Sequence, residues 1–231
     1  VHPRGAPHLV DPSRLAAGAR AVYGEGEFAR LFGDLVPVPG ERVDTAPDGH
    51  RVDLAGRVLE FLDTPGHANH HACIWDPRSG GLFTGDTFGI SYRELDTADG
   101  PFLFAPTTPV AFDPEAWQGS IDRILDRGPR VAYLTHYGPL EDPGAHAGRL
   151  RASVRAFADL ALAEEGTAPD GREERLLAAV SRLLRDEARA HGSPLDDAAL
   201  DQVFQVDARL NAQGLEVWLQ RRARRGQGAA G

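Results

Sequence analysis

Apolar and polar residues alternate over short runs in the first part of the chain and recur at helical spacing after about residue 145, the two patterns that predict strands and helices respectively. Leu15, Ala19, Val22, Phe28, Leu31 and Phe32 predict one or two short helices between residues 14 and 32. Val43-Asp44 and Arg51 to Leu54 read as a hairpin about Pro47-Asp48-Gly49, a turn sequence. Strands follow over 58–62, 72–75, 82–84 and 131–134. Asp113-Pro114 opens a helix whose buried face is Trp117, Ile121, Ile124 and Leu125. Leu150, Val154, Phe157 and Ala161 form one helical stripe, and Leu176, Val180, Leu183 and Leu184 form another. A third helical stretch opens at Ser193-Pro194 and carries Leu200, Val203, Leu210, Leu215 and Trp218.

Composition narrows the function classes. Gly (26) and Pro (17) are frequent enough in 231 residues to argue for a turn-rich, sheet-containing fold. No run approaches the roughly 18 apolar residues of a membrane span, and the chain reads as a soluble, cytoplasmic protein. All 25 basic residues are Arg, so P-loop, Schiff-base and kinase-type lysine chemistries are excluded. A net charge of −9 argues against nucleic-acid binding. The single Cys73 lies in an apolar strand and forms no disulfide within the chain. Met is absent even at position 1, so the sequence is expected to begin inside a longer protein.

Three strand ends share one punctuation: an apolar run, a small-residue turn, then a polar residue. They are Leu62…Gly66-His67, Phe83-Thr84-Gly85-Asp86 and Tyr133-Leu134-Thr135-His136. Imidazole and carboxylate are good ligands for Zn²⁺ or Fe²⁺, and loops at strand ends are where α/β folds place sites. The separations are too wide for a local zinc motif, so only the fold could bring the three residues together.

In order and context, Thr64-Pro65-Gly66-His67, Thr84-Gly85-Asp86 and Leu134-Thr135-His136-Tyr137-Gly138 resemble the second half of the metallo-β-lactamase superfamily, in its glyoxalase II-like branch. The opening stretch Val1 to His8 is similar to the segment those proteins carry after their first metal motif. The resemblance implies an α/β fold, the second half of an αββα sandwich, over residues 1–150. A helical C-terminal extension follows over 151–231. It also implies two divalent metal ions, zinc foremost, with iron or manganese as alternatives. His67 would bind the first metal, Asp86 would bridge both, and His136 would bind the second. The ions would acidify a bridging water to the hydroxide that attacks an ester, thioester or related bond of a small-molecule substrate, with Asp86 as the catalytic carboxylate. Dedicated β-lactamases commonly carry Cys at the position of Asp86, which argues mildly against that activity.

The superfamily's His-x-His-x-Asp-His motif is absent from these 231 residues and is expected upstream of Val1, so the intact protein should be a competent hydrolase whereas this chain alone should bind metal weakly and show little or no hydrolytic activity. One of His70 and His71, with His71 foremost, is a candidate partner orienting a ligand. Tyr92 and Tyr137 are candidates for the substrate wall, with Phe102, Phe104, Pro106 and Pro109 of the same aromatic loop. His2, His8, His50, His146 and His191 lack motif context and are expected at the surface. Two other readings compete: an iron-dependent oxidoreductase on the same fold, and a non-catalytic partner-binding module. The C-terminal stripes would serve either a lid over the cleft or a homodimer interface.

Overall fold

The computed structural model describes residues 1–107, 111–136 and 138–228, with residues 22 and 226–228 described by their backbone alone. Three short helices open the chain: α1 (Ala6–Val10), α2 (Ser13–Tyr23) and α3 (Glu25–Phe32). Strands β1 (Arg51–Leu54), β2 (Arg57–Asp63), β3 (Ala72–Asp76) and β4 (Gly81–Gly85) then form successive antiparallel pairs. A two-stranded sheet follows, β5 (Ile90–Ser91) with β6 (Leu103–Phe104). Helix α4 (Pro114–Leu125) carries the chain over to β7 (Val131–Leu134), which pairs parallel with β4 and antiparallel with β8 (Gly138–Glu141). Helices α5 (Pro143–Ala163), α6 (Arg172–Ala190) and α7 (Asp197–Gly228) complete the described chain. The six-stranded sheet has the order β1-β2-β3-β4-β7-β8.

Two predicted elements are corrected. Residues 43–44 form no strand, and β1 pairs instead with β2 through a two-residue turn at Ala55-Gly56. Both turn residues have positive φ, as the tight hairpin turn matching strand twist requires. The Asp53 carboxylate supports the turn by accepting from the Gly56 amide at 2.6 Å. Pro47-Asp48-Gly49 is still a turn, and its Asp48 carboxylate accepts from the Asp63 amide at 2.9 Å, anchoring the end of β2. The last helix starts at Asp197 rather than at Ser193, because the Asp196 side chain accepts from the Ala199 amide at 2.9 Å and ends the coil there. Asp113 caps α4 as expected, accepting from the Ala116 amide at 3.0 Å.

One hydrophobic core runs from the sheet through the helices. It joins Leu62, Cys73, Leu82 and Ala132 to Trp117 and Ile121 of α4, and continues through Phe102 and Phe104 to Leu150, Phe157, Val180 and Phe204. The C-terminal stripes are spent inside the chain: Leu150, Val154, Phe157 and Ala161 of α5, and Leu176, Val180 and Leu184 of α6, are all fully buried. A bidentate pair of Arg172 with Glu216, both bonds 2.7 Å, ties the start of α6 to α7. Across the sheet, Phe61, Ile74, Phe83 and Tyr133 stand in register in one row. Phe83 and Tyr133 stack at 4.9 Å and remain 48% and 36% exposed, so this apolar row faces solvent in the chain. His191, expected at the surface, is buried instead: its ring tilts against Phe102 and its Nε2 lies 2.9 Å from the Gly100 carbonyl. Among the described residues, no helix is long and apolar enough to cross a membrane.

Candidate metal centre

Topology explains how three residues far apart in sequence reach one place. Strand β2 runs antiparallel to β3, β3 antiparallel to β4, and β4 parallel to β7. Strands β2, β4 and β7 therefore share a direction, and their C-terminal ends line one edge of the sheet. His67, Asp86 and His136 follow those three ends. The Thr135 amide, 3.4 Å from the Gly85 carbonyl, joins the last two turns.

Each turn is built by its small residues. Gly66 has φ +133°, a region open essentially to glycine, and a Cβ there would overlap the Trp117 backbone. That close approach docks the turn on α4, where the Ser120 hydroxyl donates to the Pro65 carbonyl at 2.5 Å and the Asp113 amide to the Gly66 carbonyl at 2.8 Å. Gly85 has φ +51°, and a Cβ there would overlap the His71 ring.

The side chains converge on Asp86. Its Oδ2 lies 3.6 Å from His67 Nε2 and its Oδ1 lies 3.4 Å from His136 Nε2. His67 Nδ1 donates to the Pro106 carbonyl at 2.8 Å, which turns Nε2 toward Asp86. Oδ1 is buried and has no hydrogen-bond partner among the described residues. A buried carboxylate oxygen without a donor is costly unless a cation completes it. Two imidazole nitrogens turned to the two oxygens of one carboxylate are a donor set suited to divalent metal ions, with Asp86 common to both positions. Among the described residues, no group of three His, Cys, Asp or Glu converges closely enough to hold a metal by itself.

His71 stands behind Asp86. Its Nε2 accepts from the Asp86 amide at 3.1 Å, so the ring proton sits on Nδ1, which donates to Thr87 Oγ1 at 2.7 Å. The Thr87 hydroxyl in turn donates to the Thr64 carbonyl at 3.2 Å. Burial pushes the His71 imidazole down to about 4, so it remains neutral and keeps accepting. Burial pushes the Cys73 thiol up to about 12, which removes it as a nucleophile.

A cleft of about 310 Å³ opens over His67, Asp86 and His136. Ile90, Tyr92 and Pro106 form one wall, Tyr23 of α2 contributes to another, and α7 supplies Val206, Asp207, Leu210 and Asn211. The Tyr92 hydroxyl donates to Asp207 at 2.6 Å; burial raises the Asp207 carboxyl, and the Tyr92 bond opposes that shift. The aromatic loop divides its work: Tyr92 and Pro106 face the cleft, whereas Phe102 and Phe104 are core. Tyr137 and Pro109 lie outside the described residues. Tyr23, Asp207 and Asn211 were not among the sequence candidates. A signal for two of them was present, since polar Asp207 and Asn211 interrupt the apolar stripe of Leu200, Phe204, Leu215 and Trp218 at helical spacing. A larger groove, about 450 Å³, runs between α6 and α7 and contains none of the candidate residues.

Residues 3–136 match the sequence profile of the Metallo-beta-lactamase superfamily. The metallo-beta-lactamase fold-containing protein ST1585 of Sulfurisphaera tokodaii is 28% identical over 117 residues, 47% of this chain and 41% of that protein. A hydroxyacylglutathione hydrolase of a Synechococcus strain is 33% identical over 101 residues, 42% of this chain and 34% of that enzyme. The chain thus spans less than half the length of these curated relatives. In three dimensions, the crystal structure of the archaeal protein ST1585 covers 93% of this chain and 68% of its own, with a TM-score of 0.60 and 20% sequence identity, a likeness of fold.

Proposed function

The chain belongs to the metallo-β-lactamase superfamily, and from that premise we propose that the His67–Asp86–His136 edge is the chain's part of a metal-dependent hydrolytic site acting on an ester, thioester or related bond. The observation that carries this reading is the pairing of His67 Nε2 and His136 Nε2 with the two oxygens of Asp86, one oxygen being buried and without a hydrogen-bond partner among the described residues. The superfamily generally binds divalent metals, and zinc is the ion we favour here, with His67 and Asp86 at one position and Asp86 and His136 at the other. When bound, such ions acidify water and polarise a carbonyl oxygen, an effect worth several kcal/mol in hydrolysis.

The chain's own residues prepare that chemistry. The bond from His67 Nδ1 to the Pro106 carbonyl orients the ring so that Nε2 faces Asp86. Asp86 is aimed by the His71 bond to its backbone amide. Ile90, Pro106, Val206 and Leu210 give the cleft apolar walls. No Arg lines the cleft among the described residues, and Asp207 contributes a carboxylate. That balance favours an uncharged acyl ester or thioester over a substrate bearing free carboxylates. In a protein that carries the His-x-His-x-Asp-His motif together with this chain, zinc-dependent hydrolysis of a neutral thioester such as an acyl-N-acetylcysteamine, lost in Asp86→Asn, is the expected result, with little or no turnover by the 231 residues alone. Turnover that is unaffected by Asp86→Asn would overturn the reading.

A further inference from the structure

We propose that Asn211, on the C-terminal helix, is a positioning residue for His67 and acts through a single peptide unit. The Pro106–Thr107 peptide has two polar ends. Its carbonyl, on Pro106, accepts from His67 Nδ1 at 2.8 Å. Its amide, on Thr107, donates to Asn211 Oδ1 at 2.5 Å. A trans peptide is planar, so its C=O and N–H point in opposite directions and fixing one fixes the other. Donation from the amide also polarises the carbonyl, which strengthens the bond that carbonyl accepts.

The junction is built for this purpose at several atoms. Asn211 is 2% exposed and Thr107 is fully buried. The Thr107 hydroxyl lies 2.7 Å from Asn211 Oδ1 and 3.1 Å from the Asn211 carbonyl, which keeps residue 107 against the helix. Less than one turn further along α7, Gly214 leaves the space that the Thr107 carbonyl fills, and a Cβ there would overlap it. A polar side chain in the apolar stripe of a helix is expected to be costly unless satisfied, and Asn211 Oδ1 is satisfied by the amide of the peptide that also holds His67, together with the Thr107 hydroxyl. The consequence reaches Nε2. With Nδ1–H held on Pro106, Nε2 stays turned toward Asp86. Without the Asn211 brace the carbonyl is free to turn, and the ring can adopt the other tautomer or rotate away.

This proposal rests on the metal reading only for its effect on affinity, because the state of the His67 ring needs no metal to be observed. The test compares the 231-residue chain with Asn211→Leu, which removes the acceptor, and Asn211→Asp, which keeps an oxygen there. A control, Leu219→Ala, loosens buried packing on the same helix without touching Thr107. Long-range ¹H–¹⁵N spectra report the His67 tautomer, and a zinc titration reports affinity. The wild type and Leu219→Ala should show the Nδ1–H tautomer. Asn211→Leu should show a mixture and bind zinc about tenfold more weakly, the usual scale for a partner that orients a ligand. Asn211→Asp should recover toward wild type in both readouts. An unchanged tautomer in Asn211→Leu, or the same change in Leu219→Ala, would overturn the proposal whatever zinc does. A shifted tautomer with no zinc binding in any variant supports the brace and counts against the metal reading instead. Should Asn211→Leu fail to fold, Asn211→Ser withdraws the oxygen without adding an apolar side chain and answers the same question.

Discussion

The backbone amide of Asp86 donates to Nε2 of His71 at 3.1 Å, so a neutral buried imidazole, rather than a second carboxylate or a cation, supports the residue on which both flanking histidines converge. The ring cannot be protonated without losing this bond, because a protonated Nε2 is a donor facing a donor.

Stability should therefore depend on pH through His71. Its folded-state value is pushed down to about 4, against 6.5 for an unperturbed imidazole. As pH falls through 6.5 the unfolded chain takes up this proton and the folded chain does not, so unfolding becomes more favourable. The loss runs between about pH 6.5 and pH 4, levels off below that, and reaches about 3 kcal/mol. Denaturant unfolding of the wild type and of His71→Gln at a series of pH values checks this, and the variant should lose the slope that corresponds to one proton.

Gly66 should tolerate no side chain. Its φ of +133° and the Trp117 backbone beside it both oppose a Cβ. Gly66→Ala should cost about 3 kcal/mol, combining backbone strain with overpacking at the α4 contact. Chemical denaturation measures the loss. An alanine variant as stable as wild type would mean that the turn is not docked on α4 as described.

Asp86 should separate stability from function. Asp86→Asn removes a carboxylate whose buried Oδ1 has no hydrogen-bond donor among the described residues and keeps the backbone bond to His71, so stability should change by less than about 1 kcal/mol. Metal binding and hydrolysis should both be lost. Thermal unfolding and zinc titration on the same preparation show whether the two properties part company.

Asp207 should set the preference for substrate charge. Asp207→Asn keeps an acceptor for the Tyr92 hydroxyl and removes the carboxylate from the cleft wall. The ratio of kcat/KM for a glutathione thioester to that for a neutral thioester should rise about tenfold, which corresponds to about 1.4 kcal/mol of relieved repulsion. An unchanged ratio would remove Asp207 as the source of selectivity.

Much of the fold and the three converging residues were legible in the sequence because each rests on a local rule. The strands over 131–134 and 72–75 are short β-rich runs, α4 has its Asp113-Pro114 start, and His67, Asp86 and His136 each follow a strand and a small-residue turn. Their meeting was not local. It depends on β2, β4 and β7 running the same way, which spacing does not encode. The hairpin partner of β1 was misread because Ala55-Gly56 lacks the Asn or Asp that usually announces such a turn, while Pro47-Asp48-Gly49 announces one used only to anchor β2. His191 was misplaced because its burial comes from Phe102 and Gly100, about 90 residues earlier. Asp207 and Asn211 were readable as polar breaks in an apolar stripe, but what they serve, Tyr92 and the Thr107 amide, became visible only in three dimensions.

The central claim is that His67 and His136 share metal through Asp86, and the ring proton spectra of the two histidines during a zinc titration test it most directly. The account predicts that the His67 and His136 resonances shift together as zinc is added, weakly and saturably, and that neither shifts in Asp86→Asn. Zinc that moves neither resonance in the wild type, or that moves both equally in Asp86→Asn, would contradict it.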